Sequence, residues 1–200
     1  MYRLDKQLIK INFSLLGKYL IALTMSFIVT ISFFMIFTVT SESGETVSGV
    51  PYVIMLILSE ICSLGTLIVF LNGKIYYIGD SDANKVHFGR IEYDKFKGLK
   101  MGIAPAVLAL GTYIVLVLGK LGIIKDYAYM IFNLANYHLY GYHQLIFGGN
   151  NKLSEISWLS IAAAFLTVIL VPLTTHICYT LGYKRINLGE KLMFKKKGDK

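Results

Sequence analysis

Four long apolar runs decide what this chain can fold into. Residues 19–39, 101–118 and 158–181 carry no formal charge, and residues 50–71 carry one, Glu60. A helix rises about 1.5 Å per residue, so about 20 apolar residues cross a hydrocarbon core about 30 Å thick. Each run is long enough. The first is too long for the apolar core of a signal peptide and lacks a small-residue cleavage pattern after it, so it reads as a retained helix. The third is expected to begin before its apolar core, near residue 96, because Asp94 has the character of an N-cap.

A fifth stretch, 127–147, has no formal charge but holds Asn133, Asn136, His138, His143 and Gln144 among five tyrosines. Tyrosine favours the headgroup level, where its ring is in apolar surroundings and its hydroxyl stays wet. Charge bookkeeping decides whether this stretch crosses. With four spans and the N-terminus inside, 17 of the 20 Lys and Arg residues fall on the inner side and three, Lys120, Lys125 and Lys152, fall outside. A fifth crossing would send the seven-cation C-terminal tail outward, against the positive-inside rule. The charged fraction of 16% against about 25% for soluble domains agrees with a bilayer as solvent.

The sequence therefore predicts an all-α integral membrane protein, a single membrane domain over 1–200 with both termini cytoplasmic. Its spans are expected at about 19–39, 50–71, 96–118 and 158–181, with an external interfacial or re-entrant helix over 127–147 and a basic cytoplasmic tail over 182–200. Within the cytoplasmic loop 72–95, two runs rich in Tyr, Val, Ile and Phe flank Gly79-Asp80-Ser81-Asp82-Ala83-Asn84-Lys85, which suggests a short β-hairpin with Asx turns at its tip. The spacing of Asp80, Asp82 and Asn84 matches the start of a calcium loop, but Lys85 and Ile91 occupy the glycine and closing-glutamate positions, so no calcium site follows.

Pro51 suits the first turn of the second helix, and Ser154 is the expected N-cap of the last. Gly98, Gly102 and Ala106 form a small-residue ladder that lets helix backbones approach, within the chain or against a partner. Cys62 and Cys178 lie in apolar runs and read as small buried side chains. His138 and His143 are five apart and do not share a helix face, so no metal site is expected. Lys195, Lys196 and Lys197 would lie against the inner leaflet, where anionic lipids attract cations.

Glu60 is the residue that stands out. It lies at the middle of its run, where a charge costs about 2.5–3.5 kcal/mol unless it faces protein, water or a partner. Ser63 shares its face and Thr66 lies a turn further on. Thr167 and His176 are polar candidates in the last span, with His176 about 10 Å nearer the inner face. Pro172 should free a backbone carbonyl there.

No nucleophile with a base, no paired acids and no HExxH or GxSxG motif is present, so neither an enzyme nor a cofactor is expected, and the basic charge comes without a nucleic-acid recognition motif. Two functions fit. The first is a non-enzymatic subunit, scaffold or accessory protein in a bacterial-type plasma membrane, bound to another membrane protein or to copies of itself. The second is a small oligomeric transporter or channel unit that uses Glu60.

Overall fold

In the computed structural model the described residues are 2–39, 49–124, 127–148 and 152–186, side chains at 2–5, 7, 37–39 and 72 excepted. Residues 40–48 and Lys195, Lys196 and Lys197 lie outside them. Every regular element among the described residues is helical: α1 (Tyr2–Val39), α2 (Val50–His87), α3 (Lys97–Met101), α4 (Ile103–Lys120), α5 (Tyr127–Ala135), a 3-10 turn (Tyr137–Leu139), α6 (Tyr140–Phe147), α7 (Trp158–Ala163) and α8 (Leu166–Tyr183). Four segments are long and apolar enough to cross a membrane: Leu8–Ile36, Val50–Leu71, Ile103–Lys120 and Trp158–Tyr183. Ile21, Ile28, Ile54, Ile57, Ile114 and Ile177 expose large apolar side chains along these helices, which water would penalise and lipid does not.

The expected β-hairpin is absent: no strand occurs among the described residues, and α2 runs as one helix of 38 residues through Lys74 to His87, about 57 Å. The physical reason is a period of 3.6 rather than 2. Ile75, Gly79 and Asp82 fall on one face and are buried, because that face packs along α8. A Cβ at Gly79 would overlap the Tyr179 carbonyl, and one at Gly182 would overlap the Tyr76 carbonyl. These two glycines let the backbones of α2 and α8 touch. The Asx turns of the expected tip are likewise replaced by helix. Asp80 and Asn84, four apart on its outer face, accept from Arg185 Nε (3.0 Å) and Nη2 respectively.

Asp82 faces inward and is 2% exposed. Its Oδ2 receives Lys97 Nζ at 2.5 Å and the Tyr179 hydroxyl at 3.1 Å, and its Oδ1 receives Lys85 Nζ at 3.4 Å. This knot ties α2, α3 and α8 together at one end of the bundle. Asn12 of α1 joins it to α4: Asn12 Nδ2 donates to the Lys100 carbonyl and Asn12 Oδ1 accepts from Ala104 N–H, both at 3.0 Å.

The ladder packs within the chain. Substituting a Cβ would place it 2.7 Å from His176 Cα at Gly98 and 2.6 Å from Thr175 Oγ1 at Gly102, and Ala106 is half-buried. The third span is broken at Gly102, which separates α3 from α4. Asp94 closes the turn before α3, accepting Phe96 N–H on its side chain at 2.9 Å. Partial burial works against its charge. The Lys100 ammonium at 2.7 Å and the Phe96 N–H outweigh that cost and hold the carboxyl below its ordinary range.

Pro51 stands in the first turn of α2, as expected. The last span starts differently: its N-cap is Ser157, which accepts from Ser160 N–H at 3.0 Å, rather than Ser154. Cys178 is buried, but Cys62 is exposed on the outer face of α2.

Two apolar clusters fill the bundle. Leu15, Tyr19, Leu67, Leu71, Val171 and Tyr179 join α1, α2 and α8. Leu116, Phe132, Phe147, Leu153 and Ile161 join α4, the α5–α6 pair and α7. The second cluster holds the 127–147 stretch inside the bundle.

Candidate functional site

The site is built by the turn between α5 and α6. Aromatic and small residues set its course. Ala128 and Leu153 pack on Gly119 near the end of α4, and the Tyr129 and Phe147 rings meet edge to face at 5.4 Å. The start of α5 and the end of α6 are thus joined through side chains, beside the end of α4. Their connecting turn lies deep between the long helices. There Asn136 Nδ2 donates to Thr112 Oγ1 at 2.9 Å, near the middle of α4, and the Tyr19 hydroxyl donates to Asn136 Oδ1 at 3.5 Å. His138, fully buried, meets the Tyr19 ring edge-on at 5.4 Å.

Glu60 receives the start of α6. Its Oε2 accepts Gly141 N–H at 2.9 Å and Tyr142 N–H at 3.4 Å. These are first-turn N–H groups, which have no partner inside their own helix and carry the positive end of the helix dipole. A carboxylate is the natural partner for them. Gly141 makes the approach possible: a Cβ there would sit 2.7 Å from the Leu56 carbonyl and 2.9 Å from Glu60 Oε2.

The next two side chains reach the last span. The Tyr142 hydroxyl donates to the Ala163 carbonyl at 2.9 Å, and His143 Nε2 lies 3.0 Å from Thr167 Oγ1. Both partners flank the interruption between α7 and α8 at Ala164–Phe165, where the helix tightens into i→i+3 bonds. Residues 141–143 thus bridge the middle of α2 and the break in the last span.

Several polar atoms in this region are buried without a protein partner: Glu60 Oε1, Ser63 Oγ, Asn133 Oδ1, both ring nitrogens of His138 and Nδ1 of His143. Buried polar atoms are normally paired, so a group of orphans calls for an occupant or a function. Among the described residues no group of three His, Cys, Asp or Glu side chains is placed to hold a metal ion.

Of the expected site residues, the α5–α6 turn links Glu60 with Thr167, each through a direct hydrogen bond, and Ser63 is buried one turn from Glu60. Thr66 is not part of the site; its hydroxyl bonds the Cys62 carbonyl of its own helix at 2.9 Å. His176 packs on Gly98 instead. Asn136, Gly141 and Tyr19 were not anticipated. For Asn136 the signal was present in the density of neutral polar residues in the uncharged stretch 127–147; Gly141 and Tyr19 carried none.

The arrangement defines a class: a helical multi-pass membrane-type bundle whose interior holds one carboxyl gripped by a turn of its own chain. No family model matches the sequence, and no curated protein or solved structure proves significantly similar to it.

Proposed function

We propose that this chain is a small membrane transport unit in which Glu60 takes up and releases a proton at mid-depth, and in which the α5–α6 pair is a re-entrant hairpin entering from the outer face. The observation that carries the reading is the grip on Glu60 Oε2 by Gly141 and Tyr142 N–H, with Oε1 buried and unpartnered beside it. Glu60 is the only acidic residue in the four candidate spans. A lone intramembrane carboxyl that served to pair with a basic residue of a partner would present its oxygens outward. This one turns an oxygen to its own backbone. A hard cation needs several oxygen ligands, whereas one carboxyl suffices for a proton.

The mechanism follows from hydrogen-bond inventory. An ionised carboxyl only accepts, and its bonds from N–H are roughly twice as strong as those of a neutral acceptor. Protonation weakens the grip and adds a donor. The hairpin tip is then released from α2, together with its Tyr142 and His143 contacts to the break in the last span. Proton occupancy thereby selects between two positions of the turn. The inner side is the end that holds the termini, and the membrane is a bacterial-type plasma membrane. Assembly as a homo-oligomer or beside another membrane protein fits the same reading.

The test is proton flux into liposomes carrying purified protein, with a trapped pH-sensitive dye and a potassium diffusion potential. Wild type should acidify the lumen faster than empty liposomes, and Glu60→Gln should fall to the empty rate. Equal rates for wild type and empty liposomes would sink the proposal. A stoichiometric second protein in native mass spectra would then favour the accessory-subunit reading. Topology is tested by labelling single cysteines at Lys152 and Lys196: Lys152→Cys should react only from outside and Lys196→Cys only from inside.

A further inference from the structure

At the end of the bundle opposite the α5–α6 pair, a groove of about 510 Å³ lies between α1 and the part of α2 beyond its apolar span. Four lysines line it, Lys10, Lys74, Lys85 and Lys97, against one carboxylate, Asp82, an excess of three positive charges. Asp82 is already committed to Lys97, Lys85 and Tyr179. Lys74 donates to Ser14 Oγ at 2.7 Å, a neutral partner that orients the ammonium without cancelling its charge. The Ser81 hydroxyl and the apolar side chains of Ile11, Tyr77 and Ile78 complete the lining.

We infer that this groove binds the phosphate headgroup of an anionic phospholipid. Three observations favour a lipid over a free phosphate. The groove begins one residue turn beyond Leu71, the last residue of the second candidate span, which is headgroup depth for a helix standing in a bilayer. Its walls combine cations with aliphatic surface, the pairing a headgroup with its glycerol backbone presents. Its lining includes Tyr77, 72% exposed, an aromatic side chain open to acyl chains, with Ile11 and Ile78 beside the cations. Lys97 fixes the floor through Asp82, so Lys10, Lys74 and Lys85 are the headgroup ligands. The site is separate from Glu60 and rests only on the helices standing in a membrane.

Native mass spectrometry of the full-length protein, titrated with phosphatidylglycerol or phosphatidylcholine, tests it. Wild type should retain one phosphatidylglycerol molecule in preference to phosphatidylcholine. Each of Lys10→Gln, Lys74→Gln and Lys85→Gln should weaken that binding roughly fivefold, the weight of one cation near an anionic headgroup. Gln at 74 can still bond Ser14, and far-ultraviolet circular dichroism of each variant verifies the fold. Lys95→Gln with Lys184→Gln, outside the groove, should leave the binding unchanged, as should replacement of Lys195, Lys196 and Lys197 by Gln. The inference is overturned if the groove variants bind like wild type, if the tail variant alone loses the lipid, or if inorganic phosphate displaces phosphatidylglycerol at equal concentration.

Discussion

Gly141→Ala is the sharpest test of how the carboxyl is held. The added Cβ would stand 2.7 Å from the Leu56 carbonyl, 2.9 Å from Glu60 Oε2 and 3.3 Å from Glu60 Cβ, where ordinary contact begins at 3.4 Å. The nearest obstacle is helix backbone, which cannot rotate away, so the start of α6 must retreat by about 0.7 Å. The Gly141 N–H···Oε2 bond then stretches from 2.9 Å to about 3.6 Å, outside hydrogen-bond range. Losing a bond to a charged acceptor costs about 1.5–3 kcal/mol and forced overpacking about 1–3 kcal/mol. The two overlap, and about 3–5 kcal/mol is expected. Gly111→Ala is the control: a Cβ there meets nothing within 4 Å, and Ala in a helix interior gains about 0.5–1 kcal/mol over Gly. Unfolding in mixed micelles with increasing dodecyl sulfate can be followed by the fluorescence of the single tryptophan, Trp158, which starts α7 beside the second apolar cluster. Gly141→Ala should unfold at distinctly lower detergent fraction than Gly111→Ala. Coincident curves would refute the close-approach argument, and with it the claim that Glu60 is held by backbone.

Other perturbations test the opposite end. Asp82→Ala strands Lys97 Nζ and the buried Tyr179 hydroxyl and should cost about 3 kcal/mol in the same unfolding assay. Lys97, 20% exposed and 2.5 Å from the carboxylate, should lose more on change to Met than Lys85, 46% exposed and 3.4 Å away, whose pair is worth under about 1 kcal/mol. Gly182→Ala pushes a Cβ into the Tyr76 carbonyl and should separate α2 from α8, lowering the unfolding midpoint while Gly111→Ala does not. The Asp94 carboxyl is depressed in the folded protein, so its stabilising effect is fully present above the unfolded pKa of about 3.9 and is lost as pH falls through the lower folded value. Asp94→Asn should flatten that acid-side loss, by a few tenths of a kcal/mol given the exposure of the pair.

The four spans were legible because hydrocarbon imposes one coarse demand, a long run without charge, and composition alone satisfies or fails it. Gly98 and Gly102 were legible as a ladder because their spacing is periodic. The pair Gly79 and Gly182 was not, since two glycines on different helices carry no pattern until the helices are docked. The segment after Leu71 misled for a related reason. Ile75, Tyr76, Tyr77 and Ile78 favour strands in isolation, but β-propensity measures packing on a half-buried surface, and α8 offers that surface to a helix instead. Asp82 carried the overlooked clue. An aspartate spaced seven from Ile75 on a helix belongs to the buried face, and Lys97 supplies the charge that lets it stay there.

The stretch 127–147 is where sequence and structure meet most productively. Its charge balance argues against a fifth crossing and leaves an interfacial or a re-entrant helix; an interfacial one would keep its neutral polar residues wet. They are buried instead: Asn136, His138 and His143 are 0% exposed. The two facts agree once backbone is counted. Two short helices that turn back inside a bundle leave N–H and C=O groups open at the turn, and apolar surroundings cannot satisfy them. The chain must bring polar side chains to that depth. Asn136 serves the carbonyl of Phe132 at 2.9 Å, and Glu60, supplied by α2, serves Gly141 and Tyr142. A carboxyl in mid-span and an uncharged, amide-rich stretch 80 residues later are therefore two halves of one requirement. An amide still meets the backbone part of it, though more weakly, since Gln accepts N–H as a neutral group. That is why Glu60→Gln separates structure from function: it should preserve the fold in the unfolding assay while abolishing proton flux, and a variant that keeps both would show that the carboxyl serves the turn alone.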